Sequence, residues 1–490
     1  MTFQPNNLSN YQMKCYLTIL LLFMSFLVSS AQETTILSNN GQKKLLQIYQ
    51  SPENDFLSLM TQPEKPTPEG EYLRLYHLFI AFQAYERKLY LNSFHKGLQQ
   101  FETSFEPSPK SQIMFVTLLI QQSLLHWNQN ELTDGARSFY KAHRLFRKLD
   151  KKQYTDDYLK LESIFNIFLS QIPEQFQFLA SLFGLEGNIE LGFQQLEKYT
   201  LVAKQHADSY CEALVLEAYC QLKFGQADNK QVQLLMQESA DCHSPLLQFV
   251  IGSLAVKNKM SDKGLTYINT IDKKAFESFP LIRYLKGRLL LNQLDSACLT
   301  SLKAFDGNYQ GYSFRTDALM RQAWWFHIQE ETLKRDSLIN QVLQQKHLPT
   351  SNDKQAQKEI TSLANEPVSL LKARLLFDGA HYLQAKKILT KIDTSTINSY
   401  YRPEYHYRMG KINKELKLNN AALICFDEVM RLSQDDTRYF GPHAAIEAAK
   451  IKLLQHDTIR ANQYLIEAQY LNTGQYKQDI SRIISSMTNE

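Results

Sequence analysis

The chain has 490 residues, with only 17 glycines and 14 prolines. An all-β fold needs those residues for its tight turns, whereas the abundant Leu, Gln, Lys, Ala and Glu favour helix. A net charge of +4, well mixed in sign, lacks the basic patch that nucleic-acid binding requires, and the length exceeds what one simple core encloses.

At the N-terminus, Lys14 precedes the apolar run CYLTILLLFMSFLVSSA, which carries small residues at Ser29 and Ala31. This order predicts a signal peptide over residues 1–31, cut between Ala31 and Gln32. An uncleaved anchor is the alternative, although the run is shorter than the ~20 residues of a comfortable span. Cys15 opens the run instead of following it and does not fit a lipid-attachment site. No later segment is apolar enough to span a membrane. The mature chain is therefore expected to be exported, periplasmic or envelope-associated, with no integral span. Its five cysteines (Cys211, Cys220, Cys242, Cys298 and Cys425) are an odd set at irregular spacing, which is no disulfide framework. Cys220 pairing with Cys242 and buried free thiols both remain open.

Residues 32–68 read as a lead-in that ends in the proline-rich TQPEKPTPEG. Residues 69–343 read as a divergent helical-repeat region. Within it Ser123, Gly135, Phe139 and Ala142 sit at offsets 0, 12, 16 and 19. The same offsets pick out Ala180, Gly192, Leu196 and Tyr199, then Gly252, Gly264, Ile268 and Ile271. Gly287 aligns, but Leu299 stands at offset 12, so the turn there has slipped by a residue or two. A looser polar stretch over 344–362 is the best internal boundary. Residues 363–490 hold the clearest repeats: Ala373, Ala385, Leu389 and Ile392; Gly410, Ala422, Phe426 and Val429; Ala449, Ala461, Leu465 and Ala468. The closing TGQYKQDISRIISSM reads as a capping helix.

Helical hairpins explain the spacing. A small residue in each helix lets two backbones approach to ~8–10 Å, and the apolar residue four later lies one turn on along the same face. The polar segments between them, such as KNKMSDKG and KLNNAA, supply what helix ends require. One hairpin cannot bury its apolar face alone, but stacked neighbours can. The predicted fold is all-α, an α-solenoid of stacked antiparallel helix pairs.

Residues 403–436 resemble a tetratricopeptide repeat at Gly410, Ala422 and Phe426, with His406 in place of the usual tryptophan and Gln434 in place of the closing proline. The resemblance implies a divergent tetratricopeptide-like superhelix. A second stretch, FNIFLSQIPEQFQFLASLFGLEGNIELGFQQLE (165–197), resembles the central segment of the family that comprises tetratricopeptide repeat protein 39 and inclusion-body clearance protein. That resemblance implies an all-helical repeat protein without catalytic residues.

The sequence contains no HExxH, CxxC, glycine-rich phosphate loop or G-x-S-x-G elbow. Cys242-His243 lacks further ligands at metal-site spacing, and the Asp435–Asp436 pair suits a solvated helix end. No cofactor, metal or enzymatic activity is expected. The adjacent Trp324 and Trp325 diverge by ~100° on a helix, so one can pack in the core while the other serves as a binding anchor. In the clearest repeat, Tyr407, Asn413 and Lys414 fall on the first helix and are candidate partner-binding residues. The expected function is a non-enzymatic scaffold that binds a protein or peptide in the cell envelope. The alternative is a carrier or receptor for a small hydrophobic or glycan ligand held inside the solenoid.

Overall fold

The structure, a computed structural model, describes residues 34–52, 66–172, 181, 184–225 and 227–488. The expected signal peptide and Ala180 lie outside the described residues. Among the described residues there are helices, turns and bends, and no strand. The chain divides into two compact units. One comprises residues up to Ile48, Pro52–Ala81 and Lys88–Ala213; the other comprises Tyr49–Ser51, Phe82–Arg87 and Leu214 onward.

The first unit is built from α1 (Asn39–Gln50), α2 (Pro68–Tyr85), α3 (Lys88–Ser104), α4 (Pro109–Asn128), α5 (Leu132–Phe146), α6 (Thr155–Leu169), α7 (Ile189–Ala203) and the start of α8 (Ala207–Lys223). Two hairpins, α4–α5 and α6–α7, pack along their lengths. In α4–α5, Ser123, Gly135, Phe139 and Ala142 all point inward. In α6–α7 the register differs from the spacing. A Cβ on Gly192 would lie 2.6 Å from Ile167 Cγ1 and 2.9 Å from its backbone nitrogen, so the close partner is α6. The buried small residue on α6 is Ser163, and residues 170–188 lie between the two helices in sequence. Leu196 and Tyr199 are buried beyond it.

The second unit continues with α9 (Asn229–Glu238), α10 (Pro245–Lys257), α11 (Ser261–Asn269), α12 (Lys273–Ser278), α13 (Pro280–Leu291), α14 (Ala297–Asn308), α15 (Arg315–Ile328) and α16 (Thr332–Leu343). It ends with α17 (Ser351–Glu359), α18 (Val368–Asp378), α19 (Tyr382–Leu389), α20 (Arg402–Glu415), α21 (Asn419–Leu432), α22 (Phe440–Leu454), α23 (Thr458–Leu471) and α24 (Lys477–Thr488). Its hairpins are α10–α11, α13–α14, α15–α16, α18–α19, α20–α21 and α22–α23. Gly252, Gly264, Ala373, Ala385, Gly410, Ala422, Ala449 and Ala461 are all buried between helices, with Phe426 and Leu465 one turn on. At Gly410 the approach is tight enough that a Cβ would sit 2.6 Å from Phe426 Cε1.

One turn geometry joins these hairpins and α4–α5. Seven residues after the small position of the first helix comes a left-handed residue: Asn130, Lys259, Leu294, Glu330, Ala380, Lys417 and His456, with φ between 55 and 65°. Its N–H bonds back to the carbonyl three residues earlier, and the next N–H to the carbonyl five earlier, at 2.8–3.1 Å throughout. This is the Schellman closure of a helix C-terminus, usually made by glycine. None of the seven is glycine, so each forgoes roughly 1–2 kcal/mol of backbone preference, which the packing of the hairpin offsets.

The same ruler locates a hairpin that the spacing of small residues does not reveal. In α15–α16, Ala323 is buried at offset 0 and Val342 at offset 19, but offset 12 is Arg335. In α13–α14 the slip is one residue: Cys298 and Leu302, at offsets 11 and 15 from Gly287, are fully buried, and a Cβ on Gly287 would touch Leu302 Cγ at 2.6 Å. All five of these cysteines are free, Cys220 and Cys242 included.

Candidate interaction surface

On the first helix of a hairpin the small residue packs between helices, at Gly410 against Phe426 of the second helix and at Gly252 closest to Leu285 of α13. Positions six and two residues before the small residue, and one after, share a different stripe, because they recur at i, i+4 and i+7. In α15 this stripe is Asp317, Arg321 and Trp324; in α20 it is Glu404, Arg408 and Lys411; in α22 it is His443, Glu447 and Lys450. Arg288 on α13 and Arg374 on α18 occupy the same place, one residue past Gly287 and Ala373. The second unit thus carries a ladder of charged and aromatic side chains across successive first helices.

The rungs are paired in order. Arg321 grips Asp317 with two bonds, Nε to Oδ2 at 2.6 Å and Nη2 to Oδ1 at 3.1 Å, and the Tyr284 hydroxyl donates to the same carboxylate at 2.6 Å. Burial pushes the Asp317 carboxyl upward, but Arg321 and Arg288 outweigh it and hold it below its ordinary value. Arg374 Nη2 reaches both oxygens of Glu359, at 2.8 and 3.1 Å. Arg408 Nε donates to Glu404 at 2.8 Å. Such forked, charge-assisted bonds fix geometry as well as charge.

At the far end of the ladder three lysines converge on one carboxylate. Lys411 and Lys450 lie 3.2 and 3.4 Å from Glu447 Oε1, and Lys414 contacts Oε2. Burial works against the Glu447 anion, but the three lysines overcome it and hold the carboxyl well below its usual range. Accessibility varies from rung to rung: 10% for the Arg321 side chain, 25% for Arg374, 11% for Arg408 and 43% for Lys450.

The tryptophan pair does not supply an open anchor. Trp324 and Trp325 are only 3% and 8% exposed and belong to the core around α15 and α18. The Arg321 and Arg374 guanidinia stand 5.2 and 4.8 Å from the Trp324 ring, so its remaining faces are taken by cations. Tyr407 packs against Phe426, Tyr439 and Phe440. Asn413 is buried, with Nδ2 3.8 Å from Cys425 Sγ. Of the five expected partner-binding residues, Lys414 alone has its charged group on the ladder. The spacing of small residues does not point to the charged ladder residues, although charges at these offsets on α15, α20 and α22 mark them.

The described residues form an all-α fold of packed antiparallel helix pairs. No protein-family model matches the chain, and no curated protein matches it. Among solved structures, a chain in "Crystal structure of APC/C hetero-tetramer Cut9-Hcn1" is similar at 10% identity, over 86% of this chain and 83% of that one, with a TM-score of 0.23. The helix-pair register rests on the packing within this chain.

The first unit holds a different charged cluster. Lys160 Nζ lies 2.8 Å from Asp157 Oδ1 and 3.3 Å from both oxygens of Glu212. The hydroxyls of Tyr76 and Tyr199 donate to Glu212 at 2.8 and 3.1 Å, and the Ile36 N–H donates to Asp157 at 2.8 Å. Burial pulls the Lys160 pKa down, yet the two carboxylates raise it well above normal. A buried lysine so held is a fixed cation, with no free pair of electrons for nucleophilic work.

Proposed function

We propose that this protein is a non-enzymatic scaffold, exported to the cell envelope, that holds a protein partner on the ladder face of its second unit. The observation that supports this reading is the ladder itself. Charged side chains recur at matched offsets on α15, α20 and α22, where a core-only stripe would be apolar. Repeat folds bind through such rows because each repeat adds one more rung of the same surface. The leader over 1–31 supports the export part of the proposal. The likeness of residues 165–197 to the clearance family adds an expected fold, and no clearance role is proposed here.

A photo-crosslinking amino acid tests the surface. Placed at Lys450 in the full chain in cells, it should give a discrete protein adduct. Placed at Ile424, which is exposed on a second helix, it should not. Adducts that are absent from Lys450, or equal at both sites, would remove the ladder from the proposal. Mass spectrometry of the isolated protein tests cleavage of the expected leader, with Gln32 as the first residue; a chain that retains Met1 would refute the cleavage.

A further inference from the structure

The ladder already holds one helix, and that helix is part of this chain. α17 lies in the polar stretch between the hairpins α15–α16 and α18–α19, and packs on α15. It meets the rungs one after another. Asn352 Nδ2 donates to the Tyr284 hydroxyl at 3.3 Å. Asp353 accepts from the backbone N–H groups of Phe314 (2.9 Å) and Asp317 (3.1 Å). Glu359 takes the Arg374 fork, and Gln355 accepts from the Tyr476 hydroxyl at 2.9 Å. What this seat selects is a short helix that offers carboxylates to cations and free backbone N–H groups.

On α20 and α22 the same stripe carries more cation than it neutralises. Among the described residues Lys411, Lys414 and Lys450 share the single carboxylate of Glu447. Of the other charges nearby, two cations are matched, and the carboxylate of Asp378 adds one acid that Lys259 also feels. Arg408 is committed to Glu404, and Lys259, which feels Lys411, is paired with Glu415 at 3.2 Å. His443 adds no cation near neutrality, because burial lowers its pKa. Counting Asp378, the local excess is one positive charge, and Lys450 is its most accessible cation.

We propose that the α20–α22 end of the ladder is the docking site for an acidic helical segment of a partner protein, whose carboxylates take over the lysines that Glu447 now holds. The inference rests on the scaffold reading and narrows its partner to a class. α17 is its precedent: Glu359 on Arg374 is the contact that the partner would repeat one and two hairpins further on. Glu447 keeps the lysines ordered until a stronger acid array arrives.

The test uses the full chain and a fluorescein-labelled oligoglutamate peptide, followed by anisotropy at low and high salt. Saturable binding that weakens with salt is expected. Lys450→Glu, at a half-exposed position, should weaken it about tenfold. Glu447→Gln removes the internal competitor and should tighten it several-fold, a gain that no misfolded protein can mimic. Lys450→Arg should bind as the parent does. Absence of saturable binding, a Glu447→Gln variant that binds no tighter, or an oligonucleotide of equal charge that binds as well as the peptide would each overturn the proposal. If Lys450 still crosslinks a partner that excess oligoglutamate does not displace, the acidic-segment inference falls while the scaffold reading stands.

Discussion

The two units both bury ionised groups, and they bury them to different ends. Around Lys160 every charged atom is closed off and satisfied: one cation, two carboxylates, two tyrosine hydroxyls and a backbone N–H. Along the ladder, satisfaction is graded, from the sealed Asp317–Arg321 pair to lysines that share one acid and reach solvent. A closed cluster contributes to holding helices in register, since breaking it strands a charge. An open, imbalanced one retains interaction free energy that a partner can use. Perturbed titration alone would not separate them, because Lys160 and Glu447 are both strongly shifted.

The largest effect should come from the closed cluster. Lys160→Met leaves Asp157 and Glu212 buried and unpaired, which costs on the order of 3–5 kcal/mol. Lys450→Ala, on a half-exposed rung, should stay within ~1 kcal/mol. Thermal melts of the two variants check the contrast, and equal losses would erase it.

A second prediction concerns pH. Burial, and then the neighbouring Glu404, raise the Glu366 carboxyl to about 7, while Arg374 and Arg408 pull it back and Glu359 adds to the rise. An unfolded glutamate titrates near ~4.3. The folded chain therefore holds this proton more tightly, so stability falls as pH rises from the ordinary glutamate range to about 7, and the loss is complete above it. Glu366→Gln should remove that slope and gain on the parent at mildly basic pH. Melting curves across the window decide the matter, and an unchanged slope would place the coupling elsewhere.

The smallest effect belongs to the turns. Lys417 sits at φ 61° in the Schellman closure, and Lys417→Gly relieves the left-handed strain at the expense of greater freedom in the unfolded chain. A net gain of at most about 1 kcal/mol is expected. A fall in melting temperature would mean that the lysine side chain contributes more than the strain it carries.

The twelve-residue rhythm was readable because steric approach of two helices leaves a mark on composition. Gly410 leaves no room for a Cβ beside Phe426, and Ala422, Ala449 and Ala461 are fully buried. The rhythm failed where another solution to the same steric problem was used. At Arg335 a side chain that runs out to Asp336 and His327 stands in for a small residue. At Gly192 the partner helix lies a long connection back in the chain. The turn residues were opaque for a related reason, since hydrogen bonds and packing force lysine, leucine and glutamate into a conformation that local propensity assigns to glycine.

The sequence by itself determined the helices, the hairpin unit and the small residues at its closest approach, because periodicity and side-chain volume act locally. Which charges meet was decided only in three dimensions. Arg374 finds Glu359 fifteen residues away, and Lys414 finds Glu447 thirty-three away. Tyr476 finds Gln355 across 121 residues. Electrostatic pairing depends on distance through space, and no spacing along the chain encodes it.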